Sequence, residues 1–346
     1  MEKILKNAVW RLLGLLFQHP KERARPALDL RAVRSVLAIR PDRLGDVILS
    51  TPVYESLKQA FPEIRLSVLV NQNQREILSG NPFIDNIICW NPRRPLSVVR
   101  DLNKETFDLA IVLNQAFSAT AATLALLSGA AFRVGYENRQ SAWVYNISVP
   151  RAKEIKHEIQ HNLDVLRFLG ISSVRDAPRV DFDAALVRRM EGELEQRRRH
   201  QDRPLVLVKP GTRVPEWGWD LEKFRTVCEC LQESRQAEVF IICGPGEEKW
   251  VASFARSMLN QPVILPALST RELAFLIKRA DLLLCNHTGI MHLASAVRTP
   301  VVAIFKHGDV KRWGPYQTRS AVLEERGGDA LSPEKVLETI GQILAR

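Results

Sequence analysis

The sequence predicts an α/β protein of two doubly wound parallel-sheet domains in series. Three observations predict it. The chain has 346 residues, about two domains at roughly 150 residues each. Short runs rich in β-branched residues alternate with helical patterns, which is the signature of strand–helix–strand units on a parallel sheet. That alternation breaks once, around 176–201, and then restarts.

The opening 1–31 stands apart from it. In "MEKILKNAVWRLLGLLFQHPKERAR", Lys3, Asn7, Arg11, Gly14 and Gln18 fall on one helical face and Leu5, Ala8, Val9, Leu12 and Leu16 on the other. Residues 1–40 carry nine Lys/Arg against three Asp/Glu. Such a helix either lies in a membrane interface with its basic rim toward anionic lipid, or packs on the body of the protein. No small-residue cleavage pattern follows it, which argues against a signal peptide.

In the first domain (32–180) the expected strands are "SVLAI", "RLSVLV", "NIICW", "FDLAIVL" and "FRVGY". The expected helices between them are "DVILSTPVYESLKQAF", "RPLSVVRDLNK" and "AFSATAATLALLSG", with Pro52 and Pro95 blurring the boundaries of the first two. A charged helix in 181–203 is expected to link the halves. The second domain (204–346) offers "PLVLVKP", "AEVFIICGP", "PVILP", "DLLLCN" and "PVVAIF" as strands. It closes on the helix "SPEKVLETIGQILA", with Ser332 as N-cap and Pro333 at its first position. Ligands of such sheets bind beyond the carboxyl ends of the strands, so a cleft between the domains is the expected site.

Composition narrows the partners. A net charge of +10 and a pI near 9.6 favour anionic ones. No zinc-finger or RNA-recognition signature accompanies that charge, so nucleic acid is not expected. The absence of a GxGxxG after the first strand and of a Walker loop argues against redox and ATPase chemistry. The five cysteines are odd in number and form no CxxC, as reduced core residues of a cytosolic protein would. No apolar run reaches the ~18 residues of a spanning helix.

Three stretches carry possible chemistry. In "RPDRLGDVILSTP", Gly45 permits a tight turn and Asp46 begins a helix, either as an ordinary cap or as a carboxylate able to take a proton from a substrate hydroxyl. In "KPGTRVPEWGWDLEKF", Gly211, Thr212 and Arg213 suit phosphate oxygens, or form a plain loop before a helix capped by Asp220. In "DLLLCNHTGIMHLASAVRTPVVAIF", Thr288 and Gly289 open a helix whose free N–H groups attract an anion, with His292 one turn on. The pair in "DFD" (181–183) has metal-ligand spacing but precedes a helix in the link, so no metal site is expected there. In "GPGEE", Glu247 or Glu248 could accept from a ribose hydroxyl.

In order and spacing these motifs, with "LLSGAAFRVGYE" and "RWGP", resemble the heptosyltransferases of lipopolysaccharide core synthesis, glycosyltransferase family 9, from Ser35 to Tyr316. The resemblance implies the two-domain GT-B fold. It also implies inverting, metal-independent transfer of heptose from ADP-heptose to a lipid A-linked inner core, without a cofactor. It makes Asp46 the base and places Gly211 and Thr212 at the donor diphosphate. Thr288, Gly289 and His292 match the donor-binding helix start, and an acidic ribose contact falls at Glu247 or Glu248. The chain departs from the pattern at His287, where related enzymes often carry Asp, and at Trp217, where they often carry Lys. Those changes bear on the donor more than on the reaction. The expected setting is cytoplasmic, peripheral on the inner face of the inner membrane, with that anionic surface and the glycolipid acceptor as partners. A GT-B-like sugar-nucleotide epimerase and a non-catalytic nucleotide-sugar-binding protein are the alternatives.

Overall fold

A computed structural model describes residues 28–234, 236–326 and 330–345. Residues 1–27, and with them nearly all of the expected basic helix, lie outside the described residues. The chain divides between Asp176 and Ala177 into two compact units.

In the first unit β1 (Ser35–Arg40) leads through α1 (Leu44–Ile48) and α2 (Thr51–Ala60) to β2 (Arg65–Asn71). A 3-10 turn (Gln72–Gln74) and α3 (Arg75–Leu78) precede β3 (Asn86–Trp90) and α4 (Pro95–Leu102). Then come β4 (Leu109–Val112), α5 (Ala119–Leu127), β5 (Phe132–Tyr136), β6 (Ile147–Val149) and α6 (Glu158–Phe168). The sheet order is β3-β2-β1-β4-β5-β6, parallel throughout. It reverses direction between β1 and β4, which puts this sheet's ligand crevice at their carboxyl ends. The strands are apolar on both faces because helices cover both; Leu37, Ile39, Ala110 and Val112 are fully buried in one such core.

The second unit opens with α7 (Ala184–Arg197), β7 (Leu205–Lys209), a 3-10 turn (Pro215–Trp217), α8 (Leu221–Glu233) and β8 (Glu238–Ile241). There follow α9 (Glu248–Arg256), β9 (Val263–Ile264), α10 (Thr270–Arg279), β10 (Leu282–Asn286), α11 (Gly289–Val297) and β11 (Val301–Phe305). α12 (Val310–Trp313), β12 (Ser320–Glu324) and α13 (Pro333–Leu344) complete it. The order β12-β11-β10-β7-β8-β9, again parallel, repeats the winding of the first sheet. Its reversal lies between β7 and β10.

Several local outcomes differ from the sequence reading. The single helix expected over 46–61 is two, α1 and α2, broken at Leu49 and Ser50. Pro52 has no N–H to give Ile48; instead the Thr51 hydroxyl donates to the Ile48 carbonyl at 2.8 Å and the Ser50 hydroxyl to that of Val47 at 2.8 Å. Gly45 lies buried within α1 and is not among the glycines of positive φ, so it makes no tight turn. The edge strands β6 and β12 and the helix α6 were not anticipated. Ser332 does cap α13, accepting from the Lys335 amide at 3.3 Å, with Pro333 first in the helix.

The segment expected as a link packs within the second unit. Asp183 caps α7 through the Leu186 amide at 2.9 Å and accepts from Arg271 of α10 at 2.9 Å. Arg271 Nε also donates to the Asp181 carbonyl at 2.9 Å, and Phe182 meets Phe275 edge-on at 5.6 Å. The "DFD" carboxylates are thus taken by Arg179, Arg271 and a helix cap. All five cysteines are free thiols, and burial pushes those of Cys228 and Cys285 up to about 12.

Candidate functional site

At the crevice of the first sheet stands a buried arginine. Arg40 ends β1 and is 2% exposed, so its buried charge needs partners there. Nη1 donates to the Leu113 carbonyl beyond β4 at 2.6 Å, and Nη2 donates to Asp46 and to Glu158, each at 3.0 Å. Asp42 lies 3.2 Å from Nε and accepts from Asn114 at 2.7 Å. Burial works against the charge on Arg40, but the three carboxylates outweigh it and hold its pKa above the ordinary value.

Asp46 is the partly accessible member of this group, its side chain 24% exposed against 3% for Glu158. It sits in the first turn of α1, whose N-cap, Arg43, makes no side-chain cap bond. Its pKa is raised above the aspartate value, chiefly by burial; Arg40 opposes this, while Asp42 and Glu158 add to it. A carboxylate so placed at a strand's carboxyl end is partly desolvated, oriented, and basic above the usual aspartate range. A general base needs those properties. The sequence signal for Asp46 was its motif; Arg40, in the same motif, gave none because its partner Glu158 lies 118 residues on.

The crevice of the second sheet is stitched by Asn286, the fully buried last residue of β10. Its amide nitrogen donates to the Pro210 carbonyl at 2.6 Å, and its oxygen accepts the Trp219 amide at 2.9 Å. The loop after β7 is thereby held against β10. Lys209, ending β7 and 5% exposed, pairs with Glu247, which also accepts the Gly244 amide at 2.8 Å. A Cβ at Gly211 would lie 2.2 Å from Glu247 Oε1 and 2.6 Å from Lys209 Nζ, so a larger residue there shifts the ends of both side chains. Of the two acidic candidates, then, Glu247 is drawn to Gly211, while Glu248 is exposed in the first turn of α9, accepting from the Gly246 amide. Neither Lys209 nor Asn286 was singled out from the sequence, since a strand-end polar residue looks the same whether or not it meets the next loop.

Gly211→Ala is expected to push the two charged side-chain ends apart at a stability cost within the usual ~0.5–3 kcal/mol of a point change. Calorimetric melting checks it; an unchanged melting temperature would show that the two side chains give way freely.

Thr212 and Arg213 follow in the loop, the Thr212 hydroxyl donating to the Val214 carbonyl and Arg213 exposed. Thr288 precedes α11 in extended conformation without capping it. Among the described residues its buried Oγ1 has no hydrogen-bond partner. With Gly289 it leaves the mouth of α11 uncapped by any side chain, a ready anion site. His292, one turn in, is 4% exposed and so belongs to the helix's inner face. His287 stacks on Phe305 at 4.2 Å and 13°. Its Nδ1 lies 3.0 Å from the His307 carbonyl; a carbonyl only accepts, so Nδ1 carries the proton. Burial lowers the pKa of His287, leaving the ring neutral at pH 7. Trp217 stacks on His307 at 4.3 Å and 14°.

The second unit therefore gathers Gly211 and Glu247 on the β8 side of the crevice and His287, Thr288 and Gly289 on the β10 side, with Thr212 beside Gly218. Arg213 and Glu248 lie at its rim. Asp46 belongs to the other unit.

Residues 96–336 match Glycosyltransferase family 9 (heptosyltransferase). The chain is 28% identical over 288 residues to lipopolysaccharide heptosyltransferase 3 of Escherichia coli K12, covering 79% of this chain and 82% of that protein. It is 23% identical to a putative glycosyltransferase of Haemophilus influenzae, over 82% of this chain and 86% of that one. Among solved structures it is similar to a family 9 glycosyl transferase of Veillonella parvula, with TM-score 0.82 and 21% identity over 90% of this chain and 97% of that one. It is also similar to E. coli heptosyltransferase WaaC with ADP-2-deoxy-2-fluoro heptose, with TM-score 0.69 and 20% identity over 89% and 99%.

Proposed function

Because this chain belongs to glycosyltransferase family 9, and is thus a glycosyltransferase with two GT-B-type domains, we propose that it moves a heptose from ADP-heptose to the inner core of lipopolysaccharide, with inversion and without a metal. The observation that carries the mechanism is the Asp46 carboxylate held by Arg40 at the crevice of the first sheet. Asp46 takes the proton of the acceptor hydroxyl as its oxygen attacks the anomeric carbon. The bond from that carbon to the diphosphate breaks in the same displacement, which inverts the centre. The departing diphosphate draws on the α11 mouth at Thr288 and Gly289, on the loop at Gly211, Thr212 and Arg213, and on Lys209. The ribose contact falls to Glu247 or Glu248; the position of Glu247 beside Gly211 favours Glu247.

The similarity to E. coli lipopolysaccharide heptosyltransferase 3 supports this acceptor, and that to WaaC with ADP-2-deoxy-2-fluoro heptose supports this donor. The test is to incubate the purified protein with ADP-heptose and core lipopolysaccharide lacking terminal heptose, and to weigh the glycolipid by mass spectrometry. The expected gain is one heptose. No gain with any truncated core, despite donor binding, overturns the reading.

Such an acceptor is anchored in a membrane and bears phosphates. Among the described residues no helix is long and apolar enough to cross a membrane. Contact with the cytoplasmic face of the inner membrane is assigned to the basic stretch 1–31. Deleting the residues before Ala32 is expected to weaken co-sedimentation with vesicles of anionic phospholipid and to leave the melting temperature of the body unchanged. Equal sedimentation of both forms overturns that assignment.

A further inference from the structure

We propose that the folded body carries a lipid contact of its own: the loops at the two outer edges of the first sheet, with Leu96 and Ile155 exposed on them, dock on an anionic phospholipid surface and turn the Asp46 crevice toward it. The inference goes beyond the membrane contact assigned to 1–31 and uses none of those residues.

A parallel sheet sends every segment that leaves a strand to one end and every segment that enters a strand to the other. In the first unit the leaving segments 41–43, 72–74, 91–94, 113–118 and 150–157 hold six Lys/Arg against two Asp/Glu. The entering segments 28–34, 61–64, 79–85, 103–108 and 128–131 hold three against five. The excess positive charge lies at 91–94 and 150–157, which leave β3 and β6, the two edge strands. Arg93, Arg94, Arg151 and Lys153 are exposed, and among the described residues no ion pair engages them. Lys156, in the same loop, is by contrast taken by Asp164 at 3.2 Å. Cations left unpaired on one end of a domain suit an extended negative surface.

Each of these loops also exposes one aliphatic side chain, Leu96 at 81% and Ile155 at 51%. Leu96 lies in the first turn of α4, whose buried residues are Val98 and Leu102, so the packing of that helix leaves Leu96 outside. Headgroups can take the guanidinium and ammonium charges while the acyl boundary takes the apolar tips, as at other interfacial segments. A soluble polyanion would meet the same cations but offers Leu96 and Ile155 nothing to enter. The edge strands stand five strand steps apart, about 24 Å at the usual spacing, with β1 and the Asp46 carboxylate that follows it between them. Two contacts so spaced fix the tilt of the domain, where one would let it swing. An acceptor anchored in that bilayer then meets the crevice.

Co-sedimentation of the full chain with vesicles of phosphatidylcholine, with and without phosphatidylglycerol, tests this. Arg93→Gln with Arg94→Gln is expected to weaken binding to the anionic vesicles roughly five- to thirtyfold, at about fivefold for each cation lost from such a surface. Leu96→Glu and Ile155→Glu should each act in the same direction, with melting temperatures unchanged because all four side chains are exposed. Leu259, 82% exposed in the second unit, is the control: Leu259→Glu is expected to leave binding within about twofold. Binding unaffected by the edge-loop variants, or weakened equally by Leu259→Glu, overturns the proposal. A second arm separates the bilayer from the acceptor's own phosphates and rests on the transferase reading. Leu96→Glu is expected to lower kcat/KM on core lipopolysaccharide in vesicles and leave it within about twofold on the deacylated core oligosaccharide. Equal losses on both would mean that the loop holds the acceptor itself, which overturns the lipid assignment. Absence of transfer by the wild type overturns the transferase reading alone, since sedimentation still decides this one.

Discussion

Asp46→Asn is expected to lower kcat for heptose transfer by roughly 10²–10⁴-fold, the usual contribution of a general base, while the affinity for ADP-heptose stays within about twofold. The amide preserves size and can still face Arg40, but it cannot carry a proton away. The pH dependence follows from the same residue. Only ionised Asp46 acts as base, and burial raises its pKa above the aspartate value. The acid limb of kcat/KM is therefore expected above the range of an ordinary aspartate, activity falling as pH drops through the raised pKa. Rapid-quench transfer assays across pH, paired with donor titration, read both quantities. Normal turnover by Asp46→Asn would remove the base from the mechanism; a parallel loss of donor affinity would mean the carboxylate acts in binding.

Arg40→Met carries the largest expected effect on stability. It leaves Asp42, Asp46 and Glu158 facing one another around an apolar side chain, and deletes a donor to the Leu113 carbonyl. Removing one partner of a buried ion pair typically costs about 3–5 kcal/mol. The sign with pH is fixed. Without the cation the clustered carboxylates hold protons more tightly when folded than when unfolded. The variant's folded state is then helped at low pH and loses that help as pH rises through the raised folded values. The gap in urea midpoint between wild type and variant should accordingly be wide at pH 8 and narrow toward pH 5. Arg40→Lys, keeping the charge but not the planar fork, should lose less stability and still shift the acid limb of the rate profile. A gap independent of pH would show that packing, not charge, is what Arg40 supplies.

Much of this framework was legible in local pattern. The run "PVVAIF" contains β11, buried at every residue, because a strand covered on both faces has to be apolar along its length. Ser332 and Pro333 announced α13 through two properties local to a helix start: a hydroxyl for orphan N–H groups and a ring that needs none. Position 46 was legible for the same kind of reason, as a carboxylate following a strand end. What was missed had weak local signal. β6 is three residues at a sheet edge, β12 is half-buried at the edge of the other sheet, and the split between α1 and α2 depended on whether a hydroxyl would satisfy the Ile48 carbonyl that Pro52 leaves without a donor.

By itself the sequence determined the strand–helix alternation of two parallel sheets and the short motifs that fall at strand ends, since both follow from periodicity and near-neighbour chemistry. Only tertiary structure decided what those motifs touch. Glu158 reaches Arg40 across 118 residues, Asn286 reaches Pro210 across 76, and Trp217 finds His307 from a different crossover. In a parallel sheet each neighbouring strand is a crossover or more away along the chain, so the partners that set a side chain's charge, tautomer and exposure are assigned by strand order, which no local spacing encodes.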